Sequence, residues 1–133
     1  MPLAAYEDLS SFKLYFSDTG LFNSRLQLTK QSLAAARQYM GALTENYVAI
    51  QLKANGYKLN YWTSTATAEV DFVIVRNGEV VPIECKANIH VKSKSLDSFV
   101  KRYDIKQSIR LSMRNFGFEN NIKSVPLYAA FCV

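Results

Sequence analysis

The sequence predicts an α/β fold in which a mixed β-sheet carries helices on its faces. A helical pattern spans residues 33–55, and three β-rich segments, a second helical segment and further β-rich segments follow it. This order of elements is typical of layered folds that pack helices against a sheet. Apolar residues make up 49% of the chain, which suffices for a core, and the length of 133 residues fits one domain.

The first helix is predicted from the spacing of its apolar residues. Met40, Leu43 and Tyr47 recur at intervals of three and four, and Gly56 follows the pattern as a C-terminal cap. Glu45 lies on a neighbouring stripe of apolar and small residues. Because a buried carboxylate is costly without a partner, Glu45 must either find one or stay close to water.

Residues 1–32 are predicted to be a lead-in from an upstream region, and residues 33–133 form the α/β domain. Within the lead-in, Phe12 to Phe16 predicts a short strand, and Ser17 to Gly20 is a turn or helix-cap signal. The other predicted elements are strands at 58–62, 69–76, 79–86, 107–113 and 125–133 and a helix at 95–103. Cys85 and Cys132 fall in apolar strand segments, which predicts buried, reduced thiols.

Positive charge is concentrated in the second half of the chain. The net charge is +5, and residues 86–114 contain eight Lys or Arg against two Asp. Such a basic region favours a polyanionic partner, although a solvated helix face gives the same pattern. The predicted nucleic-acid contacts are Lys92, Lys94, Lys101 and Arg102. No apolar run approaches the roughly 18 residues of a membrane span and no signal-peptide pattern is present, which predicts a cytoplasmic protein.

Asn77-Gly78 predicts a tight β-hairpin. Asn-Gly between two β-rich runs favours a type I′ turn, whose central residues both need a positive φ. A two-residue loop there places Arg76 opposite Glu79 and, further from the turn, Asp71 opposite Glu84.

Strand alternation then sorts the side chains of this hairpin onto two faces. One face is a predicted core face of apolar residues: Val70, Phe72, Ile74, Val81, Ile83 and Cys85. The other face carries charged residues, all at the end away from the turn: Glu69, Asp71, Glu84 and Lys86.

Asp71 and Glu84 would therefore repel each other across the hairpin, since facing Cβ atoms lie about 4.5–5.5 Å apart. A shared proton, a basic neighbour such as Lys86 or a cation would relieve the repulsion. Carboxylate oxygens suit Mg²⁺ or Mn²⁺, with waters completing the coordination. The alternative is a surface charge ladder in which Glu69 pairs with Lys86.

Glu45 on a helix, Asp71 on a strand and Glu84-Cys85-Lys86 on the next strand resemble the PD-(D/E)xK nuclease superfamily. That resemblance implies a restriction-endonuclease-like core of α-β-β-β-α-β order. Four segments also resemble an uncharacterised domain at the C-terminus of many bacterial and archaeal AAA-type ATPases: 13–21, 41–46, 69–73 and 83–86. Val70 stands where the superfamily motif has proline.

The resemblance implies a role for each motif residue. Asp71, Glu84 and the backbone carbonyl of Cys85 would hold Mg²⁺ or Mn²⁺, with Glu45 contributing directly or through water. Lys86 would orient or help to deprotonate the attacking water and offset charge on the phosphate.

The predicted function is metal-dependent hydrolysis of DNA phosphodiesters, coupled to an upstream ATPase domain. No phosphate-binding Gly-x-x-x-x-Gly-Lys-Ser/Thr loop occurs, so the chain itself is not predicted to be an ATPase. The main alternative is a catalytically silent module that binds DNA or protein for such an ATPase. A third hypothesis is a toxin-like or defence-associated component that cleaves RNA.

Overall fold

A computed structural model describes residues 3–27, 29, 32, 37–65, 67–89 and 93–133. Its centre is a six-stranded mixed sheet with the strand order β1-β2-β3-β4-β6-β5. Strands β1 to β3 are antiparallel, β4 runs parallel to β3 and to β6, and β5 is antiparallel to β6. The strands are β1 Asn60–Thr63, β2 Glu69–Arg76, β3 Glu79–Cys85, β4 Ser108–Ser112, β5 Gly117–Glu119 and β6 Ile122–Pro126. The predicted α/β class with a mixed central sheet is confirmed.

Helices cover both faces of this sheet. They are α1 Thr19–Arg25, α2 Arg37–Ala54 and α3 Lys94–Tyr103, with 3₁₀-helices at Leu3–Tyr6 and Leu127–Cys132. The predicted start of α2, at 33–36, lies outside the described residues. On one face, α2 buries Val48 and Leu52 against β2, β3 and β4. On the other face, α3 buries Leu96 and Phe99 against β2. None of the described helices is long and apolar enough to cross a membrane.

The C-terminus of α2 is closed as predicted by Gly56, which has a φ of +83°. The N–H of Tyr57 donates to the Leu52 carbonyl and that of Gly56 to the Lys53 carbonyl, a Schellman motif. We expect Gly56→Ala to lower the free energy of unfolding by about 1 kcal/mol, because a Cβ disfavours this backbone conformation.

Gly41→Ala is the matched control in urea denaturation, since Gly41 lies within α2 and a Cβ there would meet no atom within 4 Å. It should raise stability by up to about 1 kcal/mol through helix propensity. Equal effects of the two substitutions would contradict the capping role of Gly56.

The β2–β3 hairpin forms with the predicted register. Asn77 and Gly78 have φ values of 53° and 80°, and pairing runs from Arg76 opposite Glu79 to Phe72 opposite Ile83. The predicted face assignment is wrong at Val70. Phe72 packs on the α2 side of the sheet, whereas Val70 packs with α3.

The cause of this switch is a bulge in β2. Asn60 of β1 pairs with Val73 and Trp62 pairs with Val70, so β2 carries one extra residue between its two partners. A bulge of this kind breaks the two-residue alternation of side chains. It lies at Asp71 and Phe72, and it therefore re-aims the predicted acidic residue.

Both ends of the chain differ from the predicted elements. Phe12 to Phe16 is not a strand, but Asp18 does cap α1 by accepting from the N–H of Leu21 at 2.7 Å. The predicted last strand, 125–133, is wrong because β6 ends at Pro126 and a 3₁₀-helix follows. That helix leaves Cys132 exposed, and Cys85 is half-buried, so the prediction of two buried thiols is wrong. The predicted division of the chain at residue 32 remains a prediction.

Candidate metal centre

The bulge in β2 directs the Asp71 carboxylate at the backbone of β3. Asp71 Oδ2 accepts a hydrogen bond from the backbone N–H of Cys85 at 2.7 Å. In a regular ladder of this register that N–H would face the carbonyl of Val70. A side-chain carboxylate thus takes the place of a backbone acceptor, and it holds Asp71 where β2 and β3 separate.

Asp71 sits in surroundings that disfavour its charge. Burial raises the pKa of Asp71 to about 6, the hydrogen bond from Cys85 opposes the rise, and the nearby carboxylates of Glu84 and Glu45 add to it. The Lys13 ammonium lowers the pKa of Asp71, but its effect is the smallest of these. Asp71 is therefore a carboxylate that lacks sufficient positive charge around it.

Glu84 is the more deeply buried of the two acids, with 4% of its surface exposed. Its Oε1 pairs with Lys86 Nζ at 2.5 Å, while its Oε2 is buried and has no hydrogen-bond partner among the residues that the structure describes. Buried carboxylate oxygens without a partner are rare and costly. The second oxygen of Glu84 is thus available to a ligand.

Lys86, the residue after β3, pairs with Glu84, and the alternative ladder does not form because Glu69 pairs with Lys13. Burial alone would lower the pKa of Lys86, but the hydrogen bond and charge of Glu84 and the charge of Asp71 outweigh burial and raise it. Lys86 is thereby held as a cation between the acids and solvent, since 35% of its side chain is exposed.

Glu45 is held by two residues of the N-terminal segment. Its Oε1 accepts from Lys13 Nζ at 2.8 Å and from the Tyr15 hydroxyl at 2.7 Å, and Lys13 also pairs with Glu69. Tyr15 packs on Phe72, with ring centroids 5.7 Å apart.

Burial and the neighbouring Glu45 raise the pKa of Tyr15, which keeps its hydroxyl protonated as a donor. Burial would lower the pKa of Lys13, but its hydrogen bonds to Glu45 and Glu69 raise it overall. Sequence reasoning missed both residues in this role. No local pattern links positions 13 and 15 to position 45, although the segment 13–21 is one of those that carry the family resemblance.

The donors at this site fit a hard cation in part. The free Glu84 oxygen and the Asp71 carboxylate are oxygen ligands of the kind that Mg²⁺ and Mn²⁺ take. Burial raises the pKa of the Cys85 thiol, so sulfur is disfavoured there and the backbone carbonyl is the donor to consider. Across the described residues, no group of three or more His, Cys, Asp or Glu side chains could hold a metal ion. Glu45 accordingly stands apart, on Lys13 and Tyr15.

The predicted nucleic-acid contacts are spread along α3. Lys94 is the first residue of the helix and is exposed, whereas Lys101 and Arg102 lie exposed in its last turn. The guanidinium of Arg102 lies 5.7 Å from the ring centre of Tyr103. Lys92 lies outside the described residues. The structure thus separates Lys94 from Lys101 by about 10 Å along the helix axis.

Comparison with known proteins gives one match. Residues 40–130 match the family described as "Domain of unknown function (DUF4143)", a span of about two thirds of the chain. No curated protein and no solved structure matches the sequence. The matched span contains Glu45, Asp71, Glu84 and Lys86, while Lys13 precedes it. The chain therefore belongs to the DUF4143 family, an uncharacterised domain whose matched region includes the whole β2–β3 acidic site.

Proposed function

We propose that this domain hydrolyses phosphodiester bonds of nucleic acid, with DNA as the first substrate to test, by means of a divalent cation. The observation that carries the proposal is the Glu84 Oε2 atom, which is buried without a hydrogen-bond partner among the described residues, beside Asp71, whose pKa is raised to about 6. A cation would give Glu84 Oε2 a partner and would offset the charge of Asp71. The resemblance to PD-(D/E)xK nucleases supports the same assignment.

Asp71, Glu84 and the Cys85 carbonyl would hold Mg²⁺ or Mn²⁺. When bound, the cation would activate a water molecule and offset negative charge that develops on the phosphate oxygens. Asp71 can serve as a ligand while its Oδ2 accepts from the Cys85 N–H, because a carboxylate accepts several interactions. That hydrogen bond orients the ligand in advance.

Lys86 would act on the phosphate rather than as a base. Its pKa is raised, so it carries a charge at neutral pH and can donate hydrogen bonds to an anionic substrate. Its partly exposed ammonium lies at the boundary between the buried Glu84 and solvent, where a phosphate would arrive. Glu45 would act through Lys13, whose charge reaches Asp71.

A catalytically silent binding module is the second candidate. The contacts that support it are those of Glu45, which is held by Lys13 and Tyr15, and of Asp71, whose carboxylate replaces a strand hydrogen bond. Acidic residues with such contacts would have a structural role even in a domain without catalytic activity. The resemblance to domains of AAA-type ATPases supports an ATPase as the coupled partner, whether the domain is a nuclease or a binding module.

The deciding experiment measures thermal unfolding with and without millimolar Mn²⁺, followed by a nuclease assay on plasmid DNA. We expect Mn²⁺ to raise the Tm of the wild type by several degrees, because a ligand that binds only the folded state stabilises it. The Asp71→Ala variant should lose both this shift and the metal-dependent cleavage.

Glu79→Ala serves as the matched control, since Glu79 is an exposed carboxylate at the turn end of the same hairpin. It should keep the Mn²⁺ shift and the cleavage. A shift without cleavage of DNA or RNA would favour the binding module. If Mn²⁺ had no effect on the wild type, the metal site itself would be disproved.

A further inference from the structure

A polar cavity lies on the face of the sheet that α3 covers, and the function proposed above does not use it. Its volume is about 290 Å³. Its more buried polar lining residues are Ser93 before α3, Arg110 of β4 and Ser124 of β6. We call this space the α3 cavity. The inner part of the α3 cavity therefore carries one charge, which is positive.

The exposed rim of the α3 cavity carries charges of both signs. Lys94 and Arg114 contribute positive charge, and Asp97 and Glu119 contribute negative charge. Within the described part of the chain, none of these acids forms an ion pair with a base of the α3 cavity. Exposed charges are screened by water and salt, so the inner Arg110 dominates the field inside the cavity.

Both arginines are anchored through Nε, and their outer nitrogens form no hydrogen bond with the other described residues. Arg110 Nε donates to the hydroxyl of buried Ser93 at 3.3 Å, and Arg114 Nε donates to the carbonyl of Ile89 at 2.9 Å. Neutral acceptors thus fix each guanidinium without neutralising it. A positioned guanidinium with free Nη donors matches the oxygens of a phosphate group.

The α3 cavity adjoins the candidate metal centre through a row of residues across the sheet. Glu84 of β3 pairs with Arg110 of β4, which pairs with Ser124 of β6. Paired residues on neighbouring strands point to the same face, and each strand adds about 4.8 Å. The α3 cavity therefore lies roughly 5–10 Å from Glu84 across the sheet.

We infer that the α3 cavity binds a phosphate group, supplied by a nucleic-acid strand that also reaches the Asp71–Glu84 site. Arg110 contacts the phosphate from the inner wall, and Lys94 and Arg114 contact it from the rim. The residues of the cavity alone support binding of a phosphate group. That a nucleic-acid strand supplies this phosphate rests on the proposed function.

The test uses the full chain in EDTA, so that no divalent cation takes part. One titration follows the binding of a fluorescent oligonucleotide duplex, and the other follows backbone amide NMR shifts with inorganic phosphate. We expect Arg110→Gln to weaken oligonucleotide binding about tenfold and to lower its salt dependence by about one counterion. The double variant Lys94→Gln/Arg114→Gln should act likewise, and it leaves the buried contact of Arg110 with Ser93 intact.

Lys53→Gln is the matched control, because Lys53 is exposed near the end of α2, on the opposite face of the sheet. It should retain wild-type affinity for both ligands. If both ligands lose affinity in the cavity variants, the inference is supported in full. If only inorganic phosphate loses affinity, the cavity binds free phosphate and the nucleic-acid source is overturned.

If neither ligand distinguishes the cavity variants from Lys53→Gln, the α3 cavity is not a phosphate site. These titrations are independent of the metal centre, since they are repeated in Asp71→Ala with the same expected result. A failure of the proposed function would appear only in the Mn²⁺ and cleavage experiments.

Discussion

Asp71→Asn is expected to stabilise the metal-free domain at pH 7.5 by about 2 kcal/mol. The folded state holds Asp71 at a pKa of about 6 against an ordinary 3.8, so its ionisation opposes folding at neutral pH. Asparagine removes the charge and keeps an oxygen that can accept from the Cys85 N–H. Urea denaturation of both proteins in EDTA measures the difference.

The gain should depend on pH in a defined direction. Well below pH 4 both states of the wild type are protonated at Asp71, and the two proteins should be equally stable. Between about pH 4 and pH 6 the unfolded state releases the proton that folded Asp71 still holds, because the folded pKa is raised to about 6, so the stability of the wild type falls relative to the variant. The difference should be complete near pH 7.

Glu79→Gln provides the comparison, because it removes one charge from the exposed end of the same hairpin and should change stability by less than about 0.5 kcal/mol. Millimolar Mn²⁺ should reverse the order of wild type and Asp71→Asn at pH 7.5. If Asp71→Asn instead lowers stability at every pH, then Asp71 is a well-compensated structural residue. In that case, only Glu84 of the two carboxylates would favour a cation at this site.

The parts of this site that could be predicted are those that local rules control. Asn77-Gly78 between β-rich runs favours a type I′ turn, and the hairpin register follows from this two-residue loop. That register brings Asp71 and Glu84 to the same end of two neighbouring strands. Asn120 and Asn121 also have a positive φ, as the central residues of a tight turn do, and they join β5 to β6. This second hairpin was not predicted from the sequence.

The rest depends on contacts between distant parts of the chain. The bulge that re-aims Asp71 arises from the pairing of β2 with β1, a contact that the β2 sequence alone does not reveal. Lys13 reaches Glu45 across 32 positions, a contact that only the folded chain creates. The run 127–132 is apolar enough for a strand, but it forms a 3₁₀-helix in which the consecutive residues Ala129 and Ala130 are both buried.

Lys86→Met is expected to be the most destabilising substitution at the site, at about 3 kcal/mol in the absence of metal. It would leave the Glu84 carboxylate, of which only 5% is exposed, without the Lys86 ammonium that pairs with it at 2.5 Å. Glu84→Gln should cost about 1 kcal/mol or less, because Lys86 can turn to solvent when its partner is neutral. The lower stability of Lys86→Met would therefore come from the unpaired, buried charge of Glu84 rather than from the lost contact with Lys86.

A double-mutant cycle isolates that charge. The variant Lys86→Met/Glu84→Gln should recover at least about 1.5 kcal/mol of the loss in Lys86→Met, since no buried charge remains. Strict additivity of the two substitutions would contradict a coupled pair. Mn²⁺ should stabilise Lys86→Met more than the wild type, because in the variant the cation would offset the charge of Glu84 in place of the missing Lys86 ammonium. Once Mn²⁺ has restored the fold, cleavage that stays at least about 100-fold below wild type would assign Lys86 a direct role at the phosphate.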